Sequence, residues 1–270
     1  MPRLSATLAA LAVLTACGPA APSAEPQSLS LDSYQLVDLT HAFGGDTVYW
    51  PTATTKFQLE QLAYGPTDAG YFYSANSLCT PEHGGTHLDA PIHFAEGQQT
   101  TAEIPLERVV RPAVIIDISP KSQADRDYQL SREDVVEFER ERGQIERGTI
   151  VLLRTGWSRY WPNVREYLGD DTPGDASKLS FPSYGEDAAR LLVEERQVAA
   201  LGVDTASIDI GRSQDFRVHR IAAARGVPGL ENLTNLDQLP PRGAIVAALP
   251  MKIARGSGGP LRAIALVPKT

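Results

Sequence analysis

The sequence predicts a single α/β domain. Short apolar runs with the length of buried strands alternate with capped, amphipathic helical segments, the pattern of a sheet covered by helices. At 270 residues the chain is long enough to bury one large core. After an N-terminal tether, no internal repeat and no second linker divides it.

Taken in order, residues 34–39 alternate apolar and polar side chains and read as a strand. Residues 47–51 are a short aromatic run closed by Pro51. Residues 56–63 and 71–78 read as two further strands. The aromatics Tyr49, Trp50, Tyr64, Tyr71, Phe72 and Tyr73 are expected mostly in the core or on strand faces. Trp50, beside a loop-forming proline, is assigned to a pocket wall. Residues 113–119 form a continuous apolar run, as a strand buried on both faces does. Ser131 with Asp134 forms a capping box that opens a helix through Glu141, ended by Gly143. Residues 149–154 are a second buried strand, followed by Thr155-Gly156-Trp157 where α/β proteins often contact ligands. Residues 170–183 carry Asp, Pro, Gly and Ser and read as a surface loop. Residues 185–196 predict an amphipathic helix, 198–203 a strand and 216–225 another helix. The run from Asp204 to Asp209 offers acidic and hydroxyl groups that cap backbone or orient a ligand. Residues 244–249 and 261–267 close the sheet. Gly256-Ser257-Gly258-Gly259 between them reads as a loop, and it lacks the lysine and helix start of a phosphate loop.

The amino terminus has its own logic. Arg3 precedes an apolar stretch, residues 4–14, that is too short to span a bilayer. Leu14-Thr15-Ala16-Cys17 follows, as in a bacterial lipoprotein signal with Cys17 lipidated after cleavage. The alternative is an ordinary signal peptide with Cys17 incidental. The expected organisation is a signal over residues 1–17, a Pro-, Ala- and Ser-rich tether over 18–32, and a single folded domain over 33–270. Export to the cell envelope, with the membrane touched only through the lipid, follows from that reading. Lipidation leaves Cys79 as the one free thiol, so no internal disulfide is available. Cys79 is expected as a buried small hydrophobe, with zinc ligation the alternative. The formal net charge of −8 argues against a nucleic-acid binder, which needs a basic footprint.

Chemistry concentrates in Glu82-His83-Gly84-Gly85-Thr86-His87-Leu88-Asp89-Ala90-Pro91-Ile92-His93-Phe94, which holds three of the five histidines. His-x3-His suggests a helical zinc motif, but paired glycines and Pro91 disfavour a helix. A glycine-bent loop running into an extended segment places His87 and Asp89 on one side, and His83 is able to fold back towards them. Two imidazoles and a carboxylate are the donors of a divalent metal site with open positions. His93, four residues beyond Asp89, would face the reaction space without binding the metal. Of the remaining histidines, His41 reads as a turn residue. His219, with Glu231 twelve residues later, is a possible distal pair that spacing does not connect to His83.

The stretch from His83 to Phe94 resembles the signature of the cyclase family, which includes bacterial kynurenine formamidases and isatin hydrolase, and every fixed position is met. The resemblance extends through Gly156-Trp157, Gly202-Val203-Asp204 and Glu231-Asn232-Leu233. It implies a swivelling β/β/α domain in a homodimer or larger assembly. It also implies that His83, His87, Asp89, His219 and Glu231 bind one or two metal ions with Asp89 bridging, and that His93 is the acid/base. The implied reaction is hydrolysis of a C–N bond in a small aryl amide or cyclic amide by metal-activated water. Zinc, manganese or iron suits such donors, with Zn or Mn preferred. Trp50, Trp157 and Ser213 are the expected substrate contacts. The competing class is a ligand- or metal-binding envelope lipoprotein without catalysis.

Overall fold

A sheet that closes on itself organises the protein. The computed structural model describes residues 30–269. Its strands are β1 (Tyr34–Asp38), β2 (Gln58–Pro66), β3 (Phe72–Cys79), β4 (His87–Asp89), β5 (Val110–Asp117), β6 (Gln129–Leu130), β7 (Ile150–Arg154), β8 (Ser183–Tyr184), β9 (Ala200–Val203), β10 (Gly229–Glu231), β11 (Arg242–Pro250) and β12 (Gly258–Pro268). The helices are α1 (Leu106–Val109), α2 (Ser119–Ala124), α3 (Arg132–Arg142), α4 (Val164–Leu168), α5 (Glu186–Arg190) and α6 (Arg217–Ala224). Eight strands run in the order β1-β12-β11-β5-β7-β9-β10-β4, and β4 pairs again with β12. That second pairing closes seven of them into a ring, with β1 added on β12. Closure removes the exposed edges that an open sheet would leave.

The parallel strands β5, β7 and β9 are apolar and buried over residues 113–116, 150–153 and 200–203, where both of their faces are covered. Ile150 and Leu152 turn into one cluster with Ala113, Ile115, Ala200 and Leu230. Val151 and Leu153 turn the other way, onto Val135, Ala188 and Leu192 of the helical layer. Fully burying each such aliphatic side chain is worth roughly 1.5–3 kcal/mol. The predicted capping box is present: Ser131 Oγ accepts from the Asp134 amide at 3.2 Å, and the Asp134 carboxylate accepts from the Ser131 amide at 2.8 Å. α5 runs on through a π turn, Leu191–Glu195, so the predicted helix at 185–196 is present with a wider second half.

Several expectations are corrected. β2 and β3 pair only with each other, and their hairpin stands clear of the core. Tyr64, Phe72 and Tyr73 are therefore strand-face residues, as expected, but on exposed faces, and Tyr71 is exposed just before β3; of the six aromatics only Tyr49 is buried. Cys79, at the end of β3, is exposed for the same reason and is not a core hydrophobe. The predicted surface loop at 170–183 turns inward in its second half, where Leu179, Phe181 and Ser183 are fully buried. Gly258 and Gly259 are not loop residues, because they open β12 and pair with Asp89 and Leu88. His41 is more than a turn residue, since its ring stacks on Trp161 with centroids 4.2 Å apart. The signal, Cys17 and most of the tether lie outside the described residues.

Candidate metal centre

The closing seam of the ring builds the centre. Asp89 lies opposite Gly229 of β10 on one side and Gly258 of β12 on the other. Two residues earlier, His87 lies opposite Glu231. Strand register thus sets two residues that are remote in sequence side by side. The loop before β4 bends at Gly84 (φ 147°) and Gly85 (φ 58°), both left-handed conformations that favour glycine. A Cβ at Gly84 would collide with the Tyr49 ring at 2.1 Å, and one at Gly85 with Phe43 at 2.6 Å. The bend folds His83 back onto Asp89, as the sequence suggested.

Three imidazoles converge on the Asp89 carboxylate. His83 Nδ1 lies 2.6 Å and His87 Nε2 3.1 Å from Oδ1, and His219 Nε2 lies 3.0 Å from Oδ2. Glu231 stands 3.5 Å from His87 Nε2 and 3.1 Å from His219 Nε2. Two donor sets result, His83–His87–Asp89 and Asp89–His219–Glu231, and within each set the donor atoms lie within 4.8 Å of one another. Asp89 belongs to both. His219 comes from α6, one turn below Phe216.

The fit to a divalent cation rests on what each imidazole does with its other nitrogen. His87 Nδ1 is 2.9 Å from the Gly85 carbonyl, His219 Nδ1 is 2.7 Å from Asp209, and His83 Nε2 is 2.9 Å from Ser257 Oγ. Ser257 in turn donates to Glu82 at 2.6 Å. Each ring is anchored from behind by an acceptor, which frees its forward nitrogen as a lone-pair donor; that arrangement is general for metal-ligating histidines. Asp89, Glu231 and Asp209 are buried carboxylates, and groups of this kind need positive charge close by. Without a cation His87 and His219 supply it as protons. Burial opposes the charged form of His87, but the charge of Asp89, its hydrogen bond and then the charge of Glu231 prevail and push its pKa up to about 9. His219 is driven well above the ordinary range in the same way, against its burial, by Asp209, Asp89 and Glu231. Asp89 is held well below the usual carboxylate range, burial notwithstanding, by His83 and His87 and by hydrogen bonding to His219.

His93 stands beside this cluster and hydrogen-bonds to none of it. Its ring stacks on His83 at 3.9 Å and faces a cavity of about 360 Å3. Packing on its inner side pushes its pKa down to about 4, with Asp89 opposing and the neighbouring imidazoles adding. The face towards the cavity is open, and at neutral pH the ring is uncharged. Trp50, Phe94 and Phe216 wall the cavity. Trp50 therefore lies where the sequence placed it.

Trp157 and Ser213 do not line the cavity. Trp157 is buried behind it, its indole N–H donating to the Tyr167 carbonyl at 2.9 Å. Ser213 shapes the turn into α6, accepting from the Phe216 amide at 3.1 Å. Asp204 caps backbone, accepting from the amides of Thr155 and Gly156. Asp209, five residues on, orients His219. Sequence reasoning named the run containing Asp209 but gave it no partner, and it gave no role to Glu82 or Ser257, although both lie in stretches it singled out. Their only signal was nearness to the histidine cluster and to a glycine-rich stretch.

Comparison with known proteins places this arrangement. Residues 37–210 match the family described as "Putative cyclase". The chain is 32% identical over 249 residues to isatin hydrolase from Roseibium aggregatum, covering 87% of this chain and 92% of that one. Kynurenine formamidase from Salinibacter ruber is 29% identical over 229 residues, covering 85% and 96%. Among solved structures, isatin hydrolase A from Ralstonia solanacearum superposes with a TM-score of 0.80 at 31% identity, covering 92% of this chain and 100% of that one.

Proposed function

Because this chain belongs to the cyclase family, we propose that it is a metal-dependent hydrolase of the C–N bond in a small aryl amide or cyclic amide, the class that includes isatin and formylated aryl amines. The observation that carries this reading is the convergence of three back-anchored imidazoles on Asp89 at one end of an aromatic-walled cavity. A divalent cation held by His83, His87 and Asp89, or by Asp89, His219 and Glu231, would supply a Lewis acid that lowers the pKa of water to about 7 and polarises a carbonyl. Nitrogen and oxygen donors without thiolate suit zinc or manganese, and the shared Asp89 provides for one ion or two.

The protein's own groups do the rest. Trp50, Phe94 and Phe216 hold a flat ring and exclude water around it. Asp209 keeps the His219 ring turned, and Ser257 with Glu82 does the same for His83. His93, neutral and facing the cavity, takes a proton from the attacking water and returns it to the leaving nitrogen.

The test is an assay of purified protein loaded separately with zinc and manganese, against isatin, N-formylkynurenine and other cyclic imides. Metal-dependent ring opening or deformylation supports the reading. Stoichiometric metal with no turnover of any aryl amide would overturn it in favour of a binding protein.

Two companion proposals concern setting. The signal-like start, with Cys17 after Leu14-Thr15-Ala16, supports export and a lipid anchor, and the mass of the mature N-terminus tests both. The exposed apolar side chains of the β2–β3 hairpin, among them Leu59, Leu62, Tyr64 and Phe72, support association with a second copy of the chain.

A further inference from the structure

A second cavity, of about 500 Å3, lies at the other end of the parallel strands. Val198 and Ala199, which lead into β9, line it, whereas Ala206 and Ser207, which follow β9, line the metal cavity. The two cavities share no lining residue. Four arginines reach the second one: Arg108 and Arg111 around the start of β5, Arg147 before β7, and Arg225 just after α6. Arg225 has Glu194 at 3.6 Å. Among the described residues, Arg108, Arg111 and Arg147 form no ion pair, and Glu107, the other carboxylate of the lining, pairs with none of them.

Two of these guanidinium groups are held in place. Arg108 is half-buried, and its Nη1 donates to the Val198 carbonyl at 3.1 Å. Arg111 packs against Gly148, where an added Cβ would come within 2.7 Å of Nη2. Its Nε is buried and has no hydrogen-bond partner. Burial, and after it the charges of Arg147 and Arg111, act against the charged form of Arg108. Three like charges thus face one cleft in a chain whose acidic residues outnumber its basic ones, 33 to 25. Guanidinium is always charged in practice, so neutralisation by proton loss is not an escape. An anion in the cleft relieves both the mutual repulsion and the orphaned N–H.

We propose that this cleft binds a phosphate group, as inorganic phosphate or as the monoester of a small molecule. A phosphate dianion offers three acceptor oxygens and near-complete charge compensation, and guanidinium forks match its geometry through paired N–H donors. A single carboxylate would offset only one of the three charges. The volume exceeds what one phosphate ion fills and leaves room for a small organic group. The ester would come from a small soluble metabolite.

The test is a titration of the metal-loaded full chain with sodium phosphate, and separately with glycerol 3-phosphate, at constant ionic strength against chloride, read as a shift in thermal midpoint. The comparison proteins are Arg147→Gln, at an exposed position, and Arg111→Lys, which keeps charge but loses the fork. Phosphate should raise the midpoint of the parent, and apparent affinity should fall on the order of tenfold or more in each variant. Hydrolytic activity without phosphate should be unchanged in both. Tighter binding of glycerol 3-phosphate than of phosphate would identify the ligand as a monoester, and equal binding would identify the free anion. No shift beyond that of chloride would overturn the proposal. So would curves identical in parent and variants, because phosphate attracted to the metal centre would behave in that way.

Discussion

Asp209 accepts three hydrogen bonds from the start of α6: the amides of Val218 and His219 at 2.9 and 3.0 Å, and His219 Nδ1 at 2.7 Å. One carboxylate therefore positions both the helix and the ring it carries, and the ring's other nitrogen points at Asp89. Replacing Asp209 with Asn keeps the shape but removes the charge that fixes the tautomer. The expected outcome for Asp209→Asn is a folded protein whose metal affinity falls about 10- to 100-fold. Competition with a chromogenic chelator measures it. Unchanged affinity would show that α6 alone holds His219.

His93 stands 3.9 Å from His83, ring over ring, and donates no lone pair to either donor set. His93→Ala should therefore retain its full complement of metal by elemental analysis. Its kcat should fall by a factor on the order of 10² to 10⁴. Loss of metal along with activity would instead make His93 a ligand.

What was legible in the sequence follows the distance over which each contact acts. His83, His87, Asp89 and His93 lie within one bend, one short strand and the 3-10 turn Pro91–His93 that follows it, so glycine, proline and alternation were enough to group them. The buried strands β5, β7 and β9 announced themselves because both faces are covered, leaving no polar alternation. Glu231 was not connected to His87 by spacing, because only the β4–β10 register sets them opposite each other. The same limit hid the relay from Glu82 through Ser257 to His83, which depends on the start of β12 arriving beside β4. Aromatic composition marked β2 and β3 as strands but carried no information on whether another layer would cover them. Trp157 misled for a related reason: the end of a buried strand is a common place for ligand contacts, but here its indole turns inward to a backbone carbonyl.

The β2–β3 hairpin exposes Tyr64 and Phe72, packed edge to face with ring centroids 5.2 Å apart, as part of a wider apolar face. Light scattering after size exclusion should report a dimer or larger assembly for the parent. Phe72→Glu should shift it towards monomer, since burying an unpaired carboxylate at an interface is strongly unfavourable. The substitution leaves the core untouched, so the thermal transition of the monomer should remain cooperative. A monomeric parent would remove the hairpin's assigned partner.

Glu139 and Arg196 tie α3 to the turn after α5 through a two-pronged pair, Arg196 Nε to Oε1 at 2.7 Å and Nη2 to Oε2 at 2.8 Å. The Ile145 amide adds a third bond, at 3.0 Å. The Arg196 hydrogen bond, against a smaller opposing effect of burial, holds the Glu139 carboxyl below its ordinary value. A carboxyl that is more acidic when folded stabilises the fold fully above its unfolded pKa, about 4.3, and loses that contribution as pH falls through the folded value. Glu139→Gln should therefore be less stable than the parent by about 2 kcal/mol at pH 7, and the two should converge as pH falls below about 4. The carboxylates of the metal centre titrate in both proteins, so the difference between their thermal midpoints from pH 3 to pH 7 isolates this pair. An offset that persists unchanged at pH 3 would assign the loss to packing around Glu139 instead of to its charge.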